Sequence, residues 1–283
     1  MNSAGLMVLV FFSSIMVYAE PLRVGIFQGL LNSTVPKKDY ILGTTVFMKS
    51  FTEDSGVDVS IVYYDDPLKL GEDFNTKKLD YIAADALTIV QNIPMTNLED
   101  GVMSYKESKV DSQTLLIVGL SNDGRSINEK FRSLVLSDGD ACSELYLKTL
   151  LLQQSSTVKP NFIRTKDPQQ SLLKLFFEKG DIALVDRAAY NLAVELNPQM
   201  KTKLTVLKMI PLTIGPVAYM RKGNSELQKK VIGLGKKLNT TPRGKQLLQL
   251  FRASYMDDSY TKDLQSIYTL YAQYQNLSER KKQ

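Results

Sequence analysis

The chain has 283 residues, with 35 Lys and Arg against 30 Asp and Glu for a net charge of +5, one cysteine and no histidine. Lack of histidine removes the usual general base of serine and cysteine hydrolases and the commonest zinc ligand, and the lone Cys142 rules out an internal disulfide. The positive surplus is small, and its one cluster, Arg280-Lys281-Lys282, reads as a solvated tail that gives nucleic-acid binding little support.

Residues 1–19 contain no charged side chain, and the apolar run from Leu6 to Val17 is short for a membrane span. Val17 and Ala19 fit a signal-peptidase site, so residues 1–19 are expected to be a signal peptide and Glu20 the first mature residue. No basic residue precedes the run, and a buried N-terminal helix is the alternative. No cysteine follows the cleavage site, which argues against a lipid anchor. The expectation is an exported, periplasmic protein whose remaining residues suffice for two lobes at roughly 100–200 residues each.

Leu22 to Phe27 is a strand, turning at Gln28-Gly29-Leu30. Tyr40 to Asp54 carries Phe47, Met48 and Phe51 at helical spacing. Val57 to Tyr63 alternates like a strand, and Asp66-Pro67 opens a helix with proline at its first position. Lys78 to Ala83 is the next strand, and Asp85-Ala86 starts another helix, giving a β-α-β-α-β-α order that implies a parallel-sheet lobe. Gln113 to Leu120 is an isolated apolar strand, read as the one that carries the chain out of the first lobe.

The second lobe holds strands near Leu134–Leu136, Phe162–Arg164, Asp181–Val185 and Leu204–Ile210, with helices opened by Asp140, Asp167-Pro168 and Asp186. Pro211 to Tyr219 reads as the return crossing, and everything after it as helix. That tail includes a capping box at Ser225-Glu226-Leu227-Gln228, Leu247 to Phe251 in a helix opened by Thr241-Pro242, and a stripe of Leu264, Ile267, Tyr268 and Tyr271 assigned to packing. No internal repeat is visible. The resulting division is residues 20–120 plus 212–283 for lobe 1 and 121–211 for lobe 2.

No dinucleotide, P-loop or nucleophile-elbow pattern is present, and Asp138-Gly139-Asp140 lacks the spacing of a calcium loop. Asp65, Asp66, Asp85, Asp140 and Asp186 leave carboxylate-pair catalysis open. The expectation is nonetheless a binder with no catalytic residue, metal or cofactor. Within Phe131 to Leu152, a strand enters the turn Ser137 to Asp140 and then an apolar helix. Such a turn aims free backbone N–H groups at one point, which suits an anionic ligand; an ordinary strand-to-helix turn is the other reading. Cys142 reads there as a small buried hydrophobe.

The layout resembles a type 2 periplasmic solute-binding protein, in particular the phosphate/phosphonate-binding branch. The resemblance rests on LRVGIF, KKLDYIAADA, QTLLIVGL, LVLSDGDACSELYLKTLL and DPQQSLLKLFFEKGDIALVDRAAYNL, followed by VAYMRKGNSELQKKV and TPRGKQLLQLF, in that order. It implies an α/β fold of two lobes joined by two crossings, with a C-terminal helical segment and hinge closure on a ligand in the cleft. Relatives that bind phosphonates usually present a Ser-Thr-Ser-like triplet where this chain has Asp140-Ala141-Cys142, followed by Ser143. A carboxylate there would repel an anion by about 4 kcal/mol at 4 Å in an effective dielectric of 20. Either Asp140 is a cap turned aside, or the ligand is not an oxyanion.

In open α/β sheets, ligands sit beyond the C-terminal strand ends. That rule selects Gln28, Tyr63 and Tyr64, Asp85, Asp186 and Arg187; with Asp140 and Ser143, which stand where the resemblance places the ligand-binding helix start, Gln28, Tyr63, Asp85, Asp186 and Arg187 form the expected cleft lining. Arg187 would pair bidentately with a carboxylate or phosphate or lie exposed on its helix; Tyr63 has a core alternative, and Asp85 and Asp186 a capping one. The implied function is capture of a small polar ligand, with a phosphate- or phosphonate-like oxyanion favoured, by a monomer serving a membrane ABC permease. The alternatives are a periplasmic protein of the same fold that signals to a membrane sensor, and a binder of an amine or amino acid.

Overall fold

The computed structural model describes residues 21–30, 37–105, 108, 111, 113–121, 132–138, 140–153, 160–212, 216–223, 225–250 and 253–281. The expected signal peptide, Gly139, Phe251, Thr213 to Gly215 of the return crossing, and the side chains of Phe47, Phe51 and Leu247 lie outside the described residues.

The chain runs through β1 (Leu22–Phe27), α1 (Lys37–Ser55), β2 (Val59–Tyr64), α2 (Pro67–Asn75), β3 (Tyr81–Asp85), α3 (Ala86–Asn92) and β4 (Leu98–Tyr105). It continues through β5 (Thr114–Leu120), β6 (Ser133–Ser137), α4 (Ala141–Gln153), β7 (Asn161–Thr165) and α5 (Pro168–Phe176). Then follow β8 (Ile182–Asp186), α6 (Arg187–Leu196), α7 (Gln199–Lys203) and β9 (Leu204–Pro211). The final segment is β10 (Pro216–Arg221), α8 (Ser225–Lys236), α9 (Pro242–Leu250), β11 (Tyr255–Ser259) and α10 (Gln265–Arg280).

Among the described residues two sheets form, ordered β11-β4-β10-β3-β1-β2 and β7-β6-β8-β5-β9. Each keeps a parallel trio, β3-β1-β2 or β8-β6-β7, flanked by an antiparallel strand from a crossing, β10 or β5. Three expectations change here. The first sheet is mixed rather than parallel, because β4, β10 and β11 join it antiparallel. Strand β5, assigned above to lobe 1, is an inner strand of the second sheet, between β8 and β9. The chain after the return crossing is not all helix: Tyr255–Ser259 forms edge strand β11 against β4, with Tyr255 stacked on Tyr105 at 5.4 Å between ring centroids. The sequence YMDDS carries little strand propensity, and pairing with a neighbour overrides it.

An internal repeat emerges that the sequence reading did not find. Asp66 and Asp167, Asp80 and Asp181, and Asp85 and Asp186 occupy matching places in the two lobes, each pair 101 residues apart. The first pair caps α2 and α5, accepting from Leu68 N and Gln170 N, each with proline opening the helix. The second stands just before β3 and β8; Asp80 Oδ2 accepts from Arg23 N and Asp181 Oδ2 from Ser133 N, tying each strand to its parallel neighbour. Even the turns leading to them correspond. Lys77 at φ 66° and Glu178 at φ 58° both take the left-handed conformation after a helix end.

The described residues form three apolar clusters. One lies under α1 and α8 and joins Leu22, Val24, Ile26, Met220 and Val231, and another packs Leu172, Leu175, Val185 and Met200 inside the second lobe. The largest is continuous across both lobes, uniting Ile82 and Leu87 with Leu136, Cys142, Leu184, Ile267 and Leu270. Helix α10 packs along α4 of the second lobe and against α3 of the first. Its Tyr268 hydroxyl donates to the Ile93 carbonyl at 2.7 Å. The tyrosine stripe therefore packs, as expected, but it fastens one lobe to the other.

Candidate functional site

Three strand-to-helix junctions face one another where the lobes meet. Each has the same construction: a strand ends on or just before an aspartate whose carboxylate caps the following helix. Asp85 caps α3, accepting from Thr88 N at 2.9 Å and Thr88 Oγ1 at 2.6 Å. Asp140 caps α4, accepting from Ser143 N at 3.0 Å and from the Ser143 hydroxyl. Asp186 caps α6, accepting from Ala189 N at 2.6 Å. A carboxylate fits these places because a helix start offers free N–H donors and a positive dipole end.

Tertiary structure brings the three caps together. Leu87, in the first turn of α3, and the Cys142 thiol, in the first turn of α4, belong to one apolar cluster that spans the lobes. Burial, then the charges of Asp140 and Asp85, holds that thiol well above its ordinary range, so Cys142 is an un-ionised packing residue. Asp140 feels its neighbours most. Burial pushes its carboxyl up to about 6 and the charges of Asp186 and Asp85 add to this, against the two hydrogen bonds from Ser143. Among the described residues, no group of three or more Asp, Glu, Cys or His side chains could hold a metal ion. The three carboxylates share a field without being close enough to share one metal.

The other expected lining residues divide. Gln28 follows β1, which runs parallel to β3 with Ile26 opposite Ala83, so Gln28 stands level with Asp85. Its Oε1 is buried and accepts no hydrogen bond. Ser143 is fully buried and belongs to the Asp140 cap. Arg187, at the start of α6, is paired through Nε with Asp111 at 2.8 Å. Tyr63 is placed elsewhere: its hydroxyl donates to Thr44 Oγ1 of α1 at 2.9 Å, and its ring packs in the cluster under α1. This is its core alternative, since the sheet face it occupies points to that helix.

Gln113 was not selected from the sequence. Its carbonyl accepts from Leu212 N at 3.0 Å, linking the outward crossing to the return one, and its Nε2 is buried without an acceptor. It directly precedes β5, whose Leu115 lies opposite Asp186, so it belongs to the same edge of the second sheet. The only signal was a polar residue immediately before an apolar strand.

A family model described as ABC transporter, phosphonate, periplasmic substrate-binding protein matches residues 32–261. A binding protein component of an ABC phosphonate transporter from Pseudomonas aeruginosa is similar in structure, at TM-score 0.55 and 16% identity over 91% of this chain and 88% of that one. PhnD1 from Prochlorococcus marinus, in complex with methylphosphonate, is similar at TM-score 0.53 and 16% identity over 88% of this chain and 96% of that one. A Xanthomonas citri protein bound to chloride ion reaches TM-score 0.60 at 10% identity, over 93% and 100% of the two chains. No curated protein matches the sequence. At such identities the structures establish the two-lobed periplasmic-binding-protein fold, while the family model spans most of the chain. The chain belongs to the family of periplasmic ABC-transporter substrate-binding proteins for phosphonates.

Proposed function

We propose that this protein, freed of residues 1–19, captures a small polar solute between its lobes in the periplasm and presents it to a membrane permease. It acts as a monomer and catalyses no reaction. The observation that carries this reading is the convergence of three helix starts, from α3 in one lobe and α4 and α6 in the other, on one inter-lobe point. Family membership favours a phosphate- or phosphonate-like oxyanion as the solute. Gln28 and Gln113 supply an acceptor and a donor from opposite lobes, each buried without a partner. Groups of this kind cost about 1–3 kcal/mol while unsatisfied, and a polar ligand would satisfy them.

The test is a thermal-shift and calorimetric titration of the purified protein with methylphosphonate, inorganic phosphate, amino acids and amines. A solute at a hundred times its dissociation constant stabilises the protein by about 2.7 kcal/mol. Saturable binding of one solute per chain, weakened by changing Gln113 to leucine, supports the reading. No stabilisation by any member of the panel would overturn it.

A further inference from the structure

We propose that the outer face of the first lobe, built by α1, α8 and α9, docks on a bilayer surface that carries anionic phospholipid headgroups. The inference rests on the periplasmic place of the family and is independent of which solute the cleft holds. Residues 221–250 contain eight Lys and Arg against one acid, Glu226, for a net charge of +7. The whole chain carries only +5, so everything outside this stretch sums to −2. Helical spacing disperses these charges along the sequence, and the fold gathers them. Along α8, Leu227, Val231 and Leu234 turn to the apolar cluster beneath, which leaves Lys229, Lys230 and Lys236 exposed on the outer side, with Lys237 just past the helix end. In α9, Arg243 and Lys245 are exposed while Leu248 is buried.

Among the described residues, Lys229, Lys230, Lys237 and Lys245 make no ion pair, whereas Lys236 is held by Asp257 and Asp258. Ammonium groups crowded on one side without counter-charges favour an anionic surface opposite them. The exposed acids described in these three helices, Asp39, Glu53 and Glu226, lie at helix ends. A separate observation is apolar: Leu42 and Val46, one turn apart on α1, are 61% and 45% exposed. Arg243 Nη2 donates to the Val46 carbonyl at 3.3 Å, which fixes α9 beside them, and Lys38 and Lys49 are exposed one turn to either side. Aliphatic side chains flanked by lysines are what an interfacial helix presents to a membrane, where the chains enter the headgroup boundary and the ammonium groups meet phosphates. Lysine outnumbers arginine here and the charges spread over three helices, which suits a plane of phosphates better than bidentate docking on protein carboxylates. This face also lies away from the second lobe. Side chains alternate along β1 and β3, sending Val24, Ile26 and Tyr81 to the cluster under α1 and α8, and Ile82 and Ala84 to the cluster that spans both lobes.

The experiment is co-sedimentation of the purified protein with vesicles of phosphatidylcholine alone and of phosphatidylcholine mixed with phosphatidylglycerol, at low and at high salt. It compares the wild type, a variant with Lys229→Glu, Lys230→Glu and Lys237→Glu, and a control with Lys179→Glu, Lys201→Glu and Lys208→Glu on the second lobe. The two triple variants change the net charge equally, and all six side chains are exposed, so both should keep the fold; circular dichroism verifies this. The expected result is a roughly tenfold or greater preference of the wild type for the anionic vesicles, fading as salt screens the charges. The first variant should lose that preference and the control should keep it. Equal partition of the wild type into both kinds of vesicle overturns the inference. A preference unchanged in the first variant overturns it too, as does an equal loss in both variants, which would report net charge and not this face. Each of these outcomes leaves the solute-binding reading standing, since that is tested by titrating solutes without vesicles.

Discussion

Replacing Asp140 by asparagine is expected to stabilise the ligand-free protein, and to do so only above acidic pH. Burial, with the charges of Asp186 and Asp85, lifts the Asp140 carboxyl from 3.8 to about 6. Each pH unit of such displacement is worth about 1.4 kcal/mol, so ionising this group in the native state costs about 3 kcal/mol. Asp140 keeps some accessible surface at the cleft, and the asparagine gives up the attraction between charge and helix dipole. About 2 kcal/mol is therefore the expected gain. The sign follows from linkage: a carboxyl whose native value is raised binds more protons folded than unfolded between pH 4 and 6. Its contribution is intact below pH 4 and is lost as pH rises through 6. Urea unfolding of wild type and Asp140→Asn at about pH 4 and pH 8 measures it. The two proteins should have nearly equal stability at the lower pH and differ by about 2 kcal/mol at the higher. A variant no more stable than wild type at pH 8 would refute the acidic cluster.

Other expectations concern the scaffold. Against the burial that would raise it, hydrogen bonds from Arg23 and Arg221 hold the Asp80 carboxyl below its ordinary range; Asp80→Ala should cost about 2 kcal/mol at pH 7. That cost should fade as pH falls through the depressed native value, so the difference in urea midpoint should shrink by about pH 2. In Gly101→Ala, the new Cβ would lie 1.7 Å from the Ala218 carbonyl oxygen where β4 meets β10. A loss of about 3 kcal/mol and a lower melting temperature are expected. Lys77→Gly removes a side chain from a residue at φ 66° and should stabilise by about 1 kcal/mol, read in the same urea titration.

Much of this architecture is written locally. Asp66-Pro67 and Asp167-Pro168 announce helix starts because proline loses nothing at a first helical position and aspartate satisfies free N–H groups. The apolar runs of β1, β5, β6 and β8 are visible for the same kind of reason: buried strands need continuous hydrophobic side chains. Asp85, Asp140 and Asp186 could each be selected from strand-end position, and each proves to be a cap. Other features depended on distant partners. Strand β11 exists because β4 offers it an edge, and β5 belongs to the second lobe because β8 and β9 enclose it. Tyr63 follows α1 instead of the cleft because side chains alternate along a strand and its neighbour Tyr64 takes the other face, donating to Asp73. The sequence by itself determined where helices begin and which strands are apolar, since capping and burial act on neighbouring residues. Only the tertiary structure decided that three capping carboxylates, far apart in the chain, stand at one place between the lobes, because an electrostatic site is made by distance in space.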